Sequence, residues 1–193
     1  MNEKVKILAF AGSTRVDSFN KKLAKIAAEG ARNGGAEVTL LDLRDIPMPL
    51  YDGDLEKNEG IPENGKKFRE LLKDHHGLLI SSPEYNSSIS GVLKNAIDWA
   101  SRPLPGELQL ACFVDKVACL MSASPGALGG IRGLVTLRSI LGNIKVIVLP
   151  DQVVVPKANE AFNEEGKLKD EKQQASIEKL GITLVKVISK LNS

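Results

Sequence analysis

The sequence is poor in cysteine and in aromatic residues. Only two of its 193 residues are cysteines, Cys112 and Cys119, and 4% are aromatic. Two thiols cannot form a disulfide framework in a chain of this length, and no cluster of cysteine and histidine has the spacing of a metal site. A chain of this size buries enough surface to fold without such supports, so we expect an ordinary hydrophobic core and no bound metal.

The sequence also lacks an excess of charge of one sign and a long hydrophobic run. Its 26 lysines and arginines nearly balance 24 aspartates and glutamates, and the net charge of +2 predicts no nucleic-acid partner. No apolar stretch approaches the roughly 20 residues that span a bilayer, and residues 1–10 are too short and too charged for a secretory signal. We therefore expect a cytoplasmic protein without a membrane partner, in which any bound anion is held by a local arrangement of groups.

What the sequence does contain is a repeated alternation of apolar runs and helical patterns. The five runs are nearly continuous in valine, isoleucine and leucine, which is typical of strands buried on both faces of a parallel sheet. They cover residues 5–10, 37–43, 77–82, 116–122 and 145–149. Between them apolar residues recur at helical spacing, and the last helix is predicted to begin near residue 169. The pattern predicts one doubly wound α/β domain over residues 1–193.

Other segments and residues carry weaker signals. The prolines and glycines of residues 45–65 predict a long surface loop, and residues 158–166 read as a polar loop. His75 and His76 fall at the end of the second predicted helix, where a capping or surface role is expected. Cys119 is expected to be a small core residue, and Trp99 to pack a helix or a subunit interface.

The first candidate binding loop covers residues 12–20. In open α/β sheets ligands bind beyond the carboxyl ends of the strands, and this loop leads from the first strand into a helix. The polar side chains of Ser13, Arg15, Ser18 and Asn20 converge there on a positive helix N-terminus, which predicts a phosphate site. Neither the Walker loop nor the glycine-rich dinucleotide motif is present. The alternative is that Ser18 or Asp17 only caps the helix, which would explain one of these residues.

The second candidate loop, residues 82–91, follows the third predicted strand. Pro83 fixes the backbone and stops the strand, Tyr85 offers a flat apolar face with a polar tip, and Asn86 offers a donor and an acceptor. Such a turn suits a planar heterocycle with hydrogen-bonding edges. The alternative is an ordinary connection from strand to helix in which Ser90 is the cap.

The third candidate loop, residues 122–133, follows the fourth predicted strand and is rich in glycine. Glycines at this density before a helix allow backbone N–H groups to approach a ligand closely. Gly129 and Gly130 could equally serve close packing or mobility.

Taken together, the three loops resemble the NADPH-dependent FMN reductase family, in particular its chromate, quinone and azo-compound reductases. The resemblance runs along nearly the whole chain. Its phosphate motif is matched by Gly12, Ser13, Arg15, Ser18 and Asn20. Its Pro-Glu-Tyr-Asn motif and the specific string that follows are matched by Pro83, Glu84, Tyr85, Asn86, Gly91, Leu93, Lys94, Asn95, Ala96, Asp98 and Trp99. Its glycine loop is matched by Gly126, Gly129, Gly130 and Arg132.

The resemblance implies a fold and a role for each loop. The fold is a flavodoxin-like, doubly wound five-stranded parallel sheet of order 2-1-3-4-5 with helices on both faces. The FMN phosphate would be bound by Ser13, Arg15, Ser18 and Asn20. The isoalloxazine ring and ribityl chain would be lined by Pro83, Glu84, Tyr85 and Asn86, mostly through backbone groups. The pyrimidine edge would be covered by residues 122–130, including Ser122, Ser124, Gly126 and Gly129.

The resemblance also implies an activity and partners. Hydride would pass from NADPH or NADH to FMN and then, in a ping-pong exchange, to quinones or similar acceptors such as chromate, azo compounds or free flavin. FMN would carry the chemistry, so no catalytic side chain is expected. Tyr85 and Arg102 are candidate substrate contacts, although Arg102 could equally end a helix. A homodimer or homotetramer is expected, with the third predicted helix (residues 92–101) and residues 45–65 at the interface.

Three rival functions belong to other classes. A flavodoxin-type electron carrier would bind FMN without NAD(P)H turnover of its own, but such carriers are acidic and often enclose the flavin between aromatic side chains. A phosphotransfer receiver would need an aspartate at the end of the third strand, where Ser81, Ser82 and Pro83 stand. An adaptor that kept the fold and lost the cofactor is excluded only by experiment.

Overall fold

A five-stranded parallel sheet organises the protein, as seen in a computed structural model that describes residues 4–191. The strands are β1 (Lys6–Ala11), β2 (Glu37–Asp42), β3 (Gly77–Ser81), β4 (Glu84–Tyr85), β5 (Ser88–Ile89), β6 (Val117–Ala123) and β7 (Ile147–Val155). The sheet order β2-β1-β3-β6-β7 confirms the predicted 2-1-3-4-5 order, because β4 and β5 form a separate antiparallel hairpin. Residues 1–3 and 192–193 of the predicted domain lie outside the described part, and the single domain stays a prediction.

Helices cover both faces of the sheet, as expected for a doubly wound fold. They are α1 (Phe19–Asn33), α2 (Gly53–Glu59), α3 (Glu63–Asp74), α4 (Gly91–Ala100), α5 (Ile131–Asn143), α6 (Ala158–Ala161) and α7 (Glu171–Leu191). One hydrophobic core packs α1 and α7 against the sheet, and the other packs α3, α4 and α5 against its opposite face. Over residues 4–191, no helix has the length and apolar character needed to cross a membrane.

Burial differs between the central and the edge strands. All residues of β3 and β6 are buried, and β1 is buried apart from Lys6, so three of the five apolar runs are buried on both faces as predicted. The edge strands β2 and β7 are partly exposed, and Leu40 of β2 is 41% exposed. The expectation of full burial was wrong for these two, because an edge strand has a neighbouring strand on one side only.

Strand β7 is longer than the run that predicted it. It continues through Pro150 to Val155, and its register against β6 shifts between Ala118 and Leu120. A proline is tolerated here because the strand lies at an edge and is irregular. The guanidinium of Arg138 donates to the carbonyl oxygens of Val148 and Pro150, at 3.3 and 3.5 Å, and so satisfies the exposed backbone.

The predicted loop over residues 45–65 contains α2 and the start of α3, so this prediction was wrong in part. Asp52 begins α2, since its carboxylate accepts hydrogen bonds from the backbone N–H groups of Asp54 and Leu55. The preceding segment lies on α4, where Asn95 and Trp99 both donate to the carbonyl oxygen of Pro49, at 2.9 and 2.8 Å. The fully buried Trp99 therefore packs its own helix and anchors a neighbouring segment.

The C-terminal segments also differ from expectation. Residues 158–166 contain the short helix α6, and an isolated bridge pairs Phe162 with Leu168. The last helix begins at Glu171, and Leu191, which continues its apolar repeat, is 60% exposed. Cys119 lies in the core as predicted, and burial raises the pKa of its thiol to about 12.

The two helices on one face cross at backbone contact. A Cβ atom placed on Gly30 of α1 would lie 2.0 Å from the carbonyl oxygen of Glu178 in α7. The reciprocal position, Gly181, would place a Cβ atom 2.2 Å from the carbonyl oxygen of Ala27. Only glycine fits at either position. The crossing therefore sets the position of α1 relative to the sheet, and with it the position of the N-terminus of α1.

His75 takes the predicted capping position at the end of α3, but its side chain is buried. Nδ1 lies 2.6 Å from the carbonyl oxygen of Leu71, to which it must donate, and Nε2 lies 2.8 Å from the hydroxyl of Thr39 in β2. In the neutral ring with its proton on Nδ1, the Thr39 hydroxyl donates to Nε2. Burial lowers the pKa of His75 below its ordinary value, although the hydrogen bond to Leu71 opposes this effect.

Acidification is expected to destabilise the fold through His75. Because its pKa is lowered in the folded state, the unfolded chain binds a proton at this site at a higher pH than the folded chain does. The contribution of His75 to stability is therefore present above pH ~6.5 and is lost as the pH falls below that value. Urea midpoints measured at about pH 7.5 and about pH 5.5 should fall further in the wild type than in His75→Gln. An equal fall in both proteins would contradict this assignment.

Candidate functional site

The loop between β1 and α1 is fastened to the neighbouring strand and helix. The backbone N–H of Gly12 donates to the carbonyl oxygen of Ser81 at 2.9 Å, and its carbonyl oxygen accepts from the hydroxyl of Ser90 at 2.6 Å. Ser13 is buried, and its hydroxyl accepts from the backbone N–H of Arg15. The loop is therefore held in one conformation at the carboxyl end of the sheet.

The start of α1 brings together the helix N-terminus and the guanidinium of Arg15, with the carboxylate of Asp17 directly before the N-cap in sequence. Ser18 is the N-cap and accepts from the backbone N–H of Lys21 at 3.4 Å, so the capping alternative holds for this residue. The first turn of α1 carries no acidic residue. Arg15 is exposed, and within residues 4–191 its guanidinium has no hydrogen-bond or ion-pair partner. A free guanidinium beside a helix N-terminus is an arrangement that binds anions.

Asn20 lies between the loops rather than at their surface. Its side chain is 3% exposed, its Nδ2 donates to the carbonyl oxygen of Ala123 at 2.9 Å, and its Oδ1 accepts from the backbone N–H of the same residue at 3.0 Å. The same oxygen accepts from the hydroxyl of Ser81 at 2.9 Å. The amide thus joins α1 to the ends of β3 and β6, and direct contact with a phosphate stays a prediction.

The second loop forms the hairpin of β4 and β5, not a simple strand-to-helix connection. Asn86 and Ser87 occupy its turn with φ of 51° and 66°, the pattern of a tight two-residue hairpin turn. Ser90 then caps α4 by accepting from the backbone N–H of Leu93, as the alternative expected. Tyr85, on the hairpin, is 54% exposed and presents its ring outward.

The Glu84 side chain is used inside the protein. One carboxylate oxygen accepts from the backbone N–H groups of Arg132 and Gly133, at 3.1 and 3.2 Å, in the first turn of α5. The other oxygen accepts from Arg132 Nε at 2.8 Å and lies 2.7 Å from Nη2. The carboxylate is therefore occupied within the protein, and only the backbone of Glu84 is available for the predicted cofactor contact.

The third loop covers Ser122 instead of exposing it. Ser122 is fully buried, and its hydroxyl is one of the buried side-chain atoms without a hydrogen-bond partner in residues 4–191. A Cβ atom on Gly130 would lie 1.9 Å from that hydroxyl, so the turn passes directly over it. The hydroxyl of Ser124 accepts from the backbone N–H of Gly126 at 3.3 Å, while Gly129 is buried with a φ of 60°.

The three loops meet in one cleft at the carboxyl end of the sheet. Its volume is about 80 Å³, and its walls come from all three loops and from the first turn of α1. They are Ser13, Arg15, Ser18, Phe19, Asn20, Pro83, Glu84, Tyr85, Ala123, Ser124 and Pro125. The cleft brings together eight of the twelve predicted cofactor residues. Asn86, Ser122, Gly126 and Gly129 are not on its walls.

Arg102 lies away from the cleft. Helix α4 begins beside Gly12, and its ten residues carry the chain about 15 Å before Arg102 is reached. There its Nε donates to both carboxylate oxygens of Glu56, at 2.9 and 3.0 Å, and the guanidinium lies over the ring of Tyr51. The hydrogen bond from Arg102 lowers the pKa of Glu56. A substrate contact by Arg102 stays a prediction.

The sequence of this chain matches those of known proteins over most of its length. The family profile described as NADPH-dependent FMN reductase matches residues 5–160. The chain belongs to this family. It is similar to an NAD(P)H-dependent FMN reductase of Pseudomonas aeruginosa, with 37% identity over 179 residues and 92% of each chain covered. It is also similar to a quinone reductase of Escherichia coli, with 36% identity over 149 residues, 77% of this chain and 76% of that one.

A solved structure of similar shape is a flavoenzyme NAD(P)H:(acceptor) oxidoreductase from Paracoccus denitrificans. It superposes with a TM-score of 0.78 and 26% identity, and the alignment covers 96% of this chain and 98% of that one. The order of strands and helices described above is therefore shared over almost the whole length of both chains.

The residues of the cleft fit the cofactor of the NADPH-dependent FMN reductase family. The concave part of the cleft is small compared with the ~300–1,000 Å³ of a typical ligand pocket. The positive charge of the cleft is concentrated around Arg15 and the start of α1. This end fits a phosphate group. The exposed hairpin beside it, with Pro83 and the ring of Tyr85, offers an apolar surface across which a flat ring system can extend.

Some contributors to the site were missed from the sequence. Arg44 Nη1 donates to the carbonyl oxygen of Thr14 at 3.2 Å and so braces the first loop from the segment after β2. Lys21 Nζ donates to Oδ2 of Asp42, at the end of β2, at 2.5 Å. Burial alone would raise the pKa of Asp42, but this hydrogen bond lowers it. Both residues could have been found from topology, because the carboxyl end of β2 lies beside that of β1.

Removing the Asn20 amide is expected to loosen the whole site. Asn20→Ala leaves a backbone N–H, a carbonyl and the hydroxyl of Ser81 without their partner, which should lower the free energy of unfolding by ~2–4 kcal/mol. The matched control is Asn33→Ala at the exposed end of the same helix, where a change within about 0.5 kcal/mol is expected. Urea denaturation of both variants measures the difference. Similar losses in the two variants would show that the Asn20 contacts contribute little.

Proposed function

We propose that the protein is an FMN-dependent NAD(P)H oxidoreductase that reduces quinones. The observation that carries this proposal is the cleft itself, in which a cationic helix N-terminus lies beside an exposed aromatic hairpin. Membership of the NADPH-dependent FMN reductase family, the quinone reductase of Escherichia coli and the flavoenzyme of Paracoccus denitrificans support the same reading.

The residues of the cleft divide into two groups by what they would hold. Arg15, the hydroxyls of Ser13 and Ser18 and the first backbone N–H groups of α1 would bind the phosphate of FMN. Pro83, Tyr85 and the backbone of the hairpin would lie along its ring system. FMN, when bound, supplies the centre that accepts and passes on two electrons. The side chains bind and orient, so no nucleophile or general base is assigned among them.

One open cleft would serve both substrates in turn. The ring side is bordered by the 54%-exposed Tyr85 and not by a closed pocket, so oxidised nicotinamide can leave before the acceptor enters. This order supports ping-pong kinetics, with parallel lines in a two-substrate rate analysis. Quinones are the proposed acceptors because of the relatives' names, and the same open surface supports chromate, azo compounds and free flavin as further candidates.

We also propose that the protein is a homo-oligomer, a dimer or a tetramer, in the cytoplasm. Leu50 and Tyr51, adjacent in sequence, are 79% and 37% exposed, and Leu108 is 84% exposed. Large apolar residues left exposed in this way favour an interface. The two free cysteines are both buried, which is compatible with a reducing compartment where NAD(P)H is supplied.

The decisive experiment is an anaerobic visible spectrum of the protein reconstituted with FMN, before and after NADPH or NADH is added. Bound flavin that bleaches within one turnover supports the reductase. Flavin that binds but stays oxidised would instead support the electron carrier, which would need a separate reductase. If no flavin binds, the interpretation of the cleft is wrong.

Arg15→Ala is expected to weaken FMN binding while leaving the fold intact. A charge-assisted contact to phosphate is worth about 1.5–3 kcal/mol, so the dissociation constant should rise about ten-fold or more. Arg15→Lys keeps the charge and loses the planar fork, so its dissociation constant should lie between those of Arg15→Ala and the wild type. Quenching of flavin fluorescence measures the affinity.

The control is Lys186→Ala, which removes the same charge from an exposed position on α7. Its FMN affinity should equal that of the wild type. Unchanged affinity in Arg15→Ala would remove Arg15 from the site, and an equal loss in both variants would show an effect of net charge only.

A further inference from the structure

The hairpin of β4 and β5 cannot hold its own shape. It contains two residue pairs, Glu84 with Ile89 and Tyr85 with Ser88, and a two-stranded hairpin of this size is marginal on its own. Its turn also places Ser87, a residue with a side chain, at a φ of 66°, where glycine is the favoured residue. The conformation of the hairpin must therefore be set by contacts from elsewhere in the fold.

Helix α5 supplies the close backbone contacts, and Ile89 of β5 is also buried in the hydrophobic core. A Cβ atom on Gly133 would lie 3.1 Å from the carbonyl oxygen of Ser88 and 3.3 Å from the Cα of Glu84, so helix and hairpin meet at backbone distance. Thr136 adds a hydrogen bond from its hydroxyl to the carbonyl oxygen of Ser87, at 3.5 Å. These contacts set the separation of the two elements, and the Thr136 hydrogen bond is at the long end of the range.

The polar contact is the carboxylate of Glu84. The N-cap of α5 is Gly130, which has no side chain to cap the helix, and Glu84 supplies the missing acceptor from another segment of the chain. It accepts from the backbone N–H groups of Arg132 and Gly133, and its second oxygen pairs with the Arg132 guanidinium. The Glu84 side chain is 9% exposed, so water competes little for these bonds.

We propose that Glu84 is a positioning residue for the flavin ring, whose carboxylate fixes the hairpin to the N-terminal end of α5. Pro83 and Tyr85, its neighbours in sequence, line the ring side of the cleft, while Arg15 binds at the phosphate side. Loss of the carboxylate therefore displaces the ring side alone. This inference rests on the proposed function for its ligand, but the anchoring of the hairpin can be tested without flavin.

The first test uses the flavin-free protein. Amide hydrogen exchange at residues 84–89 and 131–133 should become at least ten-fold faster in Glu84→Ala, and less so in Glu84→Gln, which keeps one acceptor oxygen. Asp52→Ala is the matched control, since Asp52 also accepts from two N–H groups at a helix N-terminus, away from the cleft. Exchange at the hairpin unchanged in Glu84→Ala would overturn the proposal, whatever the protein binds.

The second test compares FMN with riboflavin, which has the same ring and no phosphate. Glu84→Ala should weaken the binding of both by the same factor, about ten-fold, whereas Arg15→Ala should weaken FMN alone. The visible absorption band of the bound flavin should shift in Glu84→Ala and not in Asp52→Ala, because only the first variant moves the surroundings of the ring.

A destabilised control separates position from stability. Leu141→Ala removes a buried side chain at the opposite end of α5 and should lower the stability without changing the ratio of the two affinities or the absorption band. Equal losses of affinity in Leu141→Ala and Glu84→Ala would overturn the positioning role. So would a loss in Glu84→Ala that is confined to FMN, because that pattern belongs to the phosphate side. If wild-type protein binds neither flavin, the proposed function fails while the exchange result still stands.

Discussion

The side-chain amide of Asn20 is the interaction on which the site depends. It is buried, and it links the first turn of α1 to the ends of β3 and β6 through three hydrogen bonds. The first loop is fastened to β3 by the bond between Gly12 and Ser81, so one polar group connects all three loops. A buried amide without its partners costs ~1–3 kcal/mol for each group left unpaired, which makes any other arrangement of the loops unfavourable. The contacts that hold the three loops together therefore lie within the protein itself.

The sequence predicts the sheet well because burial is a property of whole runs of residues. Three central strands need apolar residues on both faces, and their sequences show it. The limits of β7 and the helix α2 depend instead on partners far along the chain. Glu56 in α2 pairs with Arg102, 46 residues later, while the prolines and glycines around α2 indicate only a loop. Local signals therefore predict the wrong structure where a distant contact decides it.

The same distinction applies to the candidate site. Topology predicts that the loops after β1, β3 and β6 converge, and the structure confirms the convergence. It does not predict what each side chain does there. Asn20 and Glu84 are polar residues in candidate loops, but Ala123 and Arg132, which engage them, lie 103 and 48 residues away. Ser122 was expected at the ligand and is covered by Gly130, because nothing in the sequence shows how closely that turn passes over β6.

The two ends of the cleft impose different degrees of selection on a ligand. The end proposed to bind phosphate is charged, concave and fastened at several points, so it would discriminate by the geometry of hydrogen bonds and charge. The ring end is a short hairpin with an exposed aromatic side chain, and it has no enclosing wall within the described chain. Shape selection requires enclosure, so acceptors above the ring are distinguished weakly by this chain alone. Under the proposed function, a cofactor held at the charged end and an acceptor surface left open at the other would allow chemically different acceptors to be reduced at one site.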